Sequence, residues 1–243
     1  MPPRRRADIL LVERGLFESR AKAQAAIAAG RVTADAVPVR KPSETIAVDA
    51  VVAAEPAFPW VSRGGIKLAD ALDRFGVPVA DRVCLDVGSS TGGFAEVLVV
   101  RGARRVYAVD VGTGQLHTRL RDEPKIISIE QTDIRMLDHA ALVEPPDFIT
   151  VDVSFISLKL VLPAALALAT RPAHLLALVK PQFEAPRVHI RKGIVRDPAV
   201  HHAVVSEIIA CAASIGRRDI ASFPSAIEGG DGNAEFFLGA ALG

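Results

Sequence analysis

From Val83 onward, short apolar runs rich in Val and Ile alternate with helical stretches, and this alternation constrains the fold more than any other feature. The runs span 83–87, 106–109, 126–129, 148–151 and 175–179. They are too short for core helices and are apolar on both faces, as strands are when helices cover both sides of a parallel sheet. Helical stretches at 93–101, 157–169 and 198–215 separate or follow them. Such alternation predicts a doubly wound α/β sheet with ligands at the carboxyl ends of its strands. Two last segments, 219–223 and 235–238, complete the sheet, the final one as an antiparallel insertion.

The first fifty-odd residues follow a different pattern, that of a small α+β domain. Ile9, Leu10, Leu11 and Val12 open an apolar face that stops at Gly15. Ser19 is an N-cap, and the Ala-rich stretch 20–29 is a helix ended by Gly30. Short strands follow at 31–33, 37–39 and 47–53. Residues 55–59 hold two prolines and read as a linker, with Trp60 packing the junction. The expected organisation is a domain at 1–55, a linker at 56–61 and a larger domain at 62–243.

Net charge is only +1, so clustering matters more than the total. Arg4, Arg5 and Arg6 are consecutive, and Arg14, Arg20, Lys22, Arg40 and Lys41 follow, a set suited to phosphates. A second basic run, Arg187, Arg191, Lys192 and Arg196, follows the 175–179 strand. Cys84 and Cys211 fall in apolar segments without metal-ligand spacing, as core thiols do in a reducing compartment. His201 and His202 point to different sides of a helix, so no metal is expected. The longest apolar stretch, 160–169, is half a bilayer span and contains Pro163. With no leader pattern after Met1, a cytoplasmic protein without membrane contact is expected.

The sharpest local signal is Leu85-Asp86-Val87-Gly88-Ser89-Ser90-Thr91-Gly92-Gly93-Phe94, a buried strand leading through a glycine-rich turn into a helix. Glycines let backbone approach a ligand closely, and the helix start offers free N–H groups. A phosphate-binding P-loop would need a Lys-Ser or Lys-Thr after the turn, and there is none. A dinucleotide site wants glycine where Ser90 stands. The looser acidic-x-Gly-x-x-x-Gly turn of S-adenosylmethionine sites fits, with Asp86, Gly88, Ser89, Ser90, Thr91, Gly92, Gly93 and Phe94 as candidate contacts. Asp110 ends the next strand, where an acid accepts from a ribose diol. Asp133 and Ile134 follow the third, within reach of an adenine.

Taken together these segments resemble the TlyA family, the hemolysin-A-like ribosomal RNA 2′-O-methyltransferases, over essentially the whole chain. Residues 4–53 resemble an S-four-type RNA-binding domain through Arg6-Ala7-Asp8, Gly15, Ser19-Arg20, Ala23, Ile27 and Gly30-Arg31-Val32. The remainder carries Val61-Ser62-Arg63-Gly64-Gly65-Ile66-Lys67-Leu68, the glycine-rich turn, and Val151-Asp152-Val153-Ser154-Phe155-Ile156-Ser157-Leu158. Leu178-Val179-Lys180-Pro181-Gln182-Phe183-Glu184 and Gly232-Asn233-Ala234-Glu235-Phe236 complete the set. The resemblance implies a Rossmann-like class I methyltransferase sheet of the FtsJ-like type, S-adenosyl-L-methionine as cofactor, and ribosomal RNA or ribosomal subunits as partner. It also implies a Lys–Asp–Lys–Glu tetrad at Lys67, Asp152, Lys180 and Glu235, and a cytidine target. Two positions depart from the pattern. Asp35-Ala36 replaces an Asn-Gly turn, and Lys192-Gly193 replaces a Gly-Gly pair.

In this chemistry a ribose hydroxyl attacks the methyl carbon of a sulfonium and a thioether leaves, so the acceptor oxygen must be oriented and relieved of its proton or charge. Lys180 is expected at the hydroxyl, as a deprotonated base or a stabilising cation. Asp152 orients it, and Lys67 with Glu235 holds the nucleotide and the network. Two lysines with two carboxylates sum to zero charge, which makes a part-buried cluster tolerable. Arg4, Arg5, Arg6, Arg14, Arg20, Lys22, Lys41, Arg63, Arg187, Arg191 and Lys192 are the expected RNA contacts. A non-catalytic RNA-binding assembly protein and a membrane-active hemolysin are the alternatives, the first opposed by the intact tetrad and the second by the lack of any membrane segment.

Overall fold

The computed structural model describes residues 2–216 and 218–242; Met1 and Gly243, the outer ends of the two expected domains, lie outside the described residues. The chain divides into two compact units after Pro59, inside the stretch expected as linker.

The first unit contains β1 (Arg4–Arg6), α1 (Ala7–Glu13), α2 (Arg20–Ala28), β2 (Val32–Ala34), β3 (Val37–Pro38), β4 (Thr45–Ala47) and β5 (Val52–Ala54). Leu10, Leu11, Ala23, Ala26 and Ile27 bring the two helices into one core with Val32 and Ile46. Ser19 caps α2 by accepting from the Lys22 N–H at 3.3 Å, and Gly30 leaves the helix at φ 68°. β2 is the centre of a three-stranded antiparallel sheet with β3 and β5, while β1 pairs with β4. The three consecutive arginines therefore form a paired strand. Between β2 and β3, Asp35 and Ala36 both take positive φ, 50° and 64°. The turn thus keeps the left-handed shape that Asn-Gly adopts easily. Ala36 bears the steric cost of about 1–2 kcal/mol, and the Asp35 carboxylate accepts from the Val51 N–H at 2.8 Å.

The second unit contains α3 (Arg63–Phe75), β6 (Val83–Val87), α4 (Gly93–Val100), β7 (Arg105–Val109), α5 (Thr118–Arg121), β8 (Ile126–Ile129) and β9 (Phe148–Val151). It continues with α6 (Leu158–Ala167), β10 (Ala173–Val179), α7 (Pro181–Glu184), α8 (Pro198–Ser214), β11 (Arg218–Pro224) and β12 (Phe236–Leu242). Its seven strands form one sheet in the order β11-β12-β10-β9-β6-β7-β8. The strands from β10 to β8 run parallel, and β12 is antiparallel to both its neighbours. The last strand is thus the inserted, reversed one, as its position in the sequence suggested.

Alternate residues of the central strands feed two cores, as the two-residue strand period requires. Leu85, Val87, Ile149 and Val151 meet Leu162 and Ile208 on one face; Cys84, Phe148 and Leu176 meet Leu68, Leu98 and Phe237 on the other. Burial on both faces fails at the margins: β8 is half-buried and β11 mostly exposed, because an edge strand has a neighbour on one side only. Trp60 packs inside this unit on α3, where a Cβ on Gly65 would lie 2.4 Å from its ring. The chain leaves β6 for β7 on one side and returns to β9 on the other. This reversal opens a crevice at the carboxyl ends of β6 and β9, where ligands bind in such sheets.

Candidate active site

β6 ends at Val87, and residues 88–92 turn the chain into α4. Gly88 has φ 82°, and a Cβ there would lie 2.4 Å from the Asp152 carbonyl oxygen, so only glycine lets β6 and β9 end this close together. Ser90 takes φ 45° where a dinucleotide site would have glycine. Its N–H donates to Asp110 at 2.8 Å and its hydroxyl to Gln115 at 3.0 Å. The other Asp110 oxygen accepts from the Gly112 N–H at 2.7 Å. The end of β7 is thereby tied to the turn.

Two cavities flank that turn and share Gly88, Ser90, Asp152 and Ser154 in their walls. One, of about 350 Å³, has apolar walls from Val109, Ile134 and Ile156, with Asp110 and Thr132 as polar points. The other, of about 340 Å³ and the more polar of the two, includes Lys67, Lys180, Thr91 and Arg63. A long ligand with an apolar end and a charged end fits this pair.

The expected tetrad assembles here as two ion pairs. Lys67 rises from the buried face of α3, only 8% exposed, and its Nζ lies 2.5 Å from Glu235 Oε2 just before β12. Lys180 follows β10 and Asp152 follows β9; Lys180 Nζ lies 2.6 Å from Asp152 Oδ1 and donates to Ser154 Oγ at 3.0 Å. Residues 168 positions apart thus meet through an antiparallel strand inserted beside β10. Gly229 makes room, since a Cβ there would lie 2.6 Å from Glu235 Oε1.

Other expected contacts sit elsewhere. Asp86 is completely buried below the turn and lines neither cavity, so its side chain supports the turn instead of facing a ligand. Thr150 donates to one of its oxygens at 2.8 Å and the other has no partner. Burial pushes its pKa up to about 7, opposed by the Thr150 hydroxyl and reinforced by the charge of Asp152. Asp133 is engaged by Arg135 at 2.5 Å, which draws its pKa down to about 2, and it too lines neither cavity; its neighbour Ile134 does. Ser89, Thr91, Gly93 and Phe94 line the polar cavity. Gly92, at φ 90°, instead turns toward Leu116 and Leu120, which a Cβ would strike.

Several expected RNA contacts also have partners within the chain. Asp8 is fully buried and is held by Arg6 at 3.0 Å, Arg20 at 2.7 Å and Gln24 at 2.8 Å. Arg14 donates to the carbonyls of Ala50 and Val48, Arg5 pairs with Glu13, Arg4 with the Thr45 carbonyl, and Lys22 with Glu18. Arg6, Arg14 and Arg20 therefore serve the unit's own architecture first. Lys41 is exposed, as are Arg187, Arg191 and Lys192. Lys192 and Gly193 both take positive φ, 52° and 78°, so the position lacking its glycine keeps the left-handed turn. Arg63 lines the polar cavity while donating to the Glu228 carbonyl at 2.6 Å.

The sequence reading passed over Phe155. It is 90% exposed at the cavity rim, at φ 65°, with its ring 4.9 Å from Phe183. An aromatic three residues after Asp152, where the strand has ended, was the available signal.

The family model for FtsJ-like methyltransferases matches residues 60–242, and that for the S4 domain matches residues 5–52. The 16S/23S rRNA (cytidine-2′-O)-methyltransferase TlyA of Mycobacterium tuberculosis is 43% identical, covering 98% of this chain and 90% of its own. The chain belongs to the TlyA family. Hemolysin A of Brachyspira hyodysenteriae is a further relative, 35% identical over 95% of this chain and 97% of its own. A solved structure from Streptococcus thermophilus, 39% identical, superposes with a TM-score of 0.78 over 100% of this chain and 90% of that one. Aeropyrum pernix fibrillarin, solved with bound S-adenosyl-L-methionine, shares the fold of the second unit, with a TM-score of 0.54 at 21% identity over 73% of this chain and 76% of that one. The family is one of methyltransferases, and the fold is that of S-adenosylmethionine-dependent ones. Among the described residues no helix is long and apolar enough to cross a membrane.

Proposed function

We propose that this chain transfers a methyl group from S-adenosyl-L-methionine to the 2′-hydroxyl of a cytidine in ribosomal RNA. The observation that carries the reading is the pairing of Lys67 with Glu235 and Lys180 with Asp152 at one cavity beside the glycine turn. The cofactor fits the residues present. The close-approach glycine at 88 and the helix start at 93 suit its amino-acid end, Asp110 suits a ribose diol, and Ile134 with Val109 suits an adenine face. When bound, it supplies a sulfonium-activated methyl group.

The chain's own residues do the rest. Lys180, held between Asp152 and Ser154, presents Nζ to the polar cavity and fixes an acceptor oxygen by hydrogen bonding. Whether it takes the proton or stabilises the developing oxyanion, Asp152 keeps its position. Lys67, anchored by Glu235, offers a second donor for the nucleotide. Phe155 offers a flat apolar surface on which a base removed from its stack can rest. The first unit and the exposed cations Lys41, Arg187, Arg191 and Lys192 supply phosphate contacts, whose weakening with salt follows counterion release.

The test is incubation with methyl-labelled S-adenosylmethionine and ribosomal RNA, free and in subunits, followed by alkaline hydrolysis. A 2′-O-methyl group blocks cleavage, so label must appear in alkali-resistant dinucleotides beginning with cytidine. Label on mononucleotides would mean base methylation. No label with either substrate would favour a binding protein.

A further inference from the structure

Asn233 is a buried polar residue that the chemistry above leaves unused, 2% exposed and two positions before Glu235. Its carboxamide is bonded at both ends. Oδ1 accepts from the Val195 N–H at 3.2 Å, and Nδ2 donates to the Gly193 carbonyl at 3.0 Å. Its own carbonyl accepts from the Gly229 N–H at 2.8 Å, in the loop where Gly229 makes space for the Glu235 carboxylate. The far side of this bridge is the return arm of a tight hairpin, closed by mutual backbone hydrogen bonds between Arg191 and Ile194. The hairpin exposes Arg191 and Lys192, and none of the described residues forms an ion pair with either. His201 adds a second fastening, with Nε2 2.9 Å from the Val195 carbonyl and its ring 5.6 Å from Phe236.

The geometry points to Asn233 as a positioning residue for the RNA substrate. Its carboxamide fastens the basic hairpin to the segment carrying Glu235, so that phosphates held by Arg191 and Lys192 are set in register with the tetrad. This deepens the proposed RNA methylation and rests on it. A buried amide with both ends bonded fixes two backbone segments as a short piece of sheet would, so the hairpin's cations keep the place from which they add to RNA affinity. Asn233 touches no reacting atom; it acts through the hairpin.

The test uses the full chain, ribosomal RNA and labelled S-adenosylmethionine. Asn233→Asp keeps the acceptor for Val195 but sets a carboxylate oxygen against the Gly193 carbonyl. It should raise KM for RNA by roughly tenfold, with kcat changed by less than about threefold and cofactor affinity unchanged. Arg191→Ala with Lys192→Ala should raise KM comparably, and adding Asn233→Asp should raise it little further, since both act through one element. A fall in kcat at unchanged KM, or factors that multiply, would overturn the proposal. Hydrogen exchange reads the fastening without RNA: Asn233→Ala, or Asn233→Ser if the first does not fold, removes the acceptor and must speed exchange at Val195, and unchanged protection there refutes the tether. If the unaltered chain methylates no RNA, the proposed function fails while the exchange result still decides the tether.

Discussion

Asp8 in the first unit and Asp86 in the second are both fully buried, yet their surroundings are opposite. Asp8 is surrounded by donors: two arginines and a glutamine hold it, and the Arg6 guanidinium keeps its carboxyl well below the usual range. Among the described residues Asp86 has the Thr150 hydroxyl and the Ala95 backbone as donors and no cation beside it, and burial lifts it to about 7. The first carboxylate is a structural tie between α1, α2 and β1. The second sits under the turn that the two cavities flank, and one of its oxygens has no hydrogen-bond partner among the described residues. The tetrad lies between these extremes: its charges are paired one to one, and Lys67, Asp152 and Lys180 still line a cavity. Where charge is saturated the carboxylate ties elements together, and where it is only balanced the ion pair stays at a cavity wall.

The contrast can be broken most severely at Asp152. Asp152→Ala should lower the methyl-transfer rate by about 10²–10⁴-fold while cofactor affinity and melting temperature stay close to the original. Loss of folding instead would place Asp152 with Asp8 as a structural tie. Asp8→Asn should do the reverse and destabilise residues 2–59 by about 2 kcal/mol, since charge-assisted bonds are lost. Denaturant unfolding of the full chain, followed by proteolytic fragments from each unit, separates the two results.

Acid and base then sharpen the comparison. The Asp8 carboxyl is depressed, so the stability it gives is complete at neutral pH and is lost as pH falls below the ordinary carboxylate range. The Asp86 carboxyl is raised, so the folded second unit keeps a proton that the unfolded chain releases. Its stability therefore falls as pH rises from about 4 toward about 7, by at most about 1.4 kcal/mol per pH unit. Asp86→Asn should flatten that slope, and an unchanged slope in chemical denaturation would remove Asp86 as its source. The smallest effect belongs to the strained turn: Ala36→Gly should stabilise the first unit by about 1 kcal/mol, and no gain in melting temperature would mean that the turn carries no strain.

The sheet and its reversed last strand were legible because they are written locally in runs of Val and Ile, and the motifs that carry the family resemblance named the four residues that form the two ion pairs. What was hidden depended on distant partners. Arg6, Arg14 and Arg20 read as phosphate ligands because a basic cluster shows its charge and not the Asp8 carboxylate or the Val48 and Ala50 carbonyls that occupy it. Asp86 read as a cofactor contact because a motif gives position along the strand but not which side of the turn the carboxylate faces. Asn233 stood in a quoted motif with no role, since its partners lie about 40 residues earlier. Ala36 and Lys192 show the converse: glycine is preferred for a left-handed turn, and its absence did not remove the turn.

Lys180→Ala tests the central claim most directly, by single-turnover transfer with saturating S-adenosylmethionine and ribosomal RNA beside an equilibrium measurement of cofactor binding. A loss of about 10³-fold in the transfer step with cofactor affinity within about twofold is the expected result. Transfer near the rate of the unaltered chain would contradict the claim that the paired charges beside the glycine turn perform the chemistry.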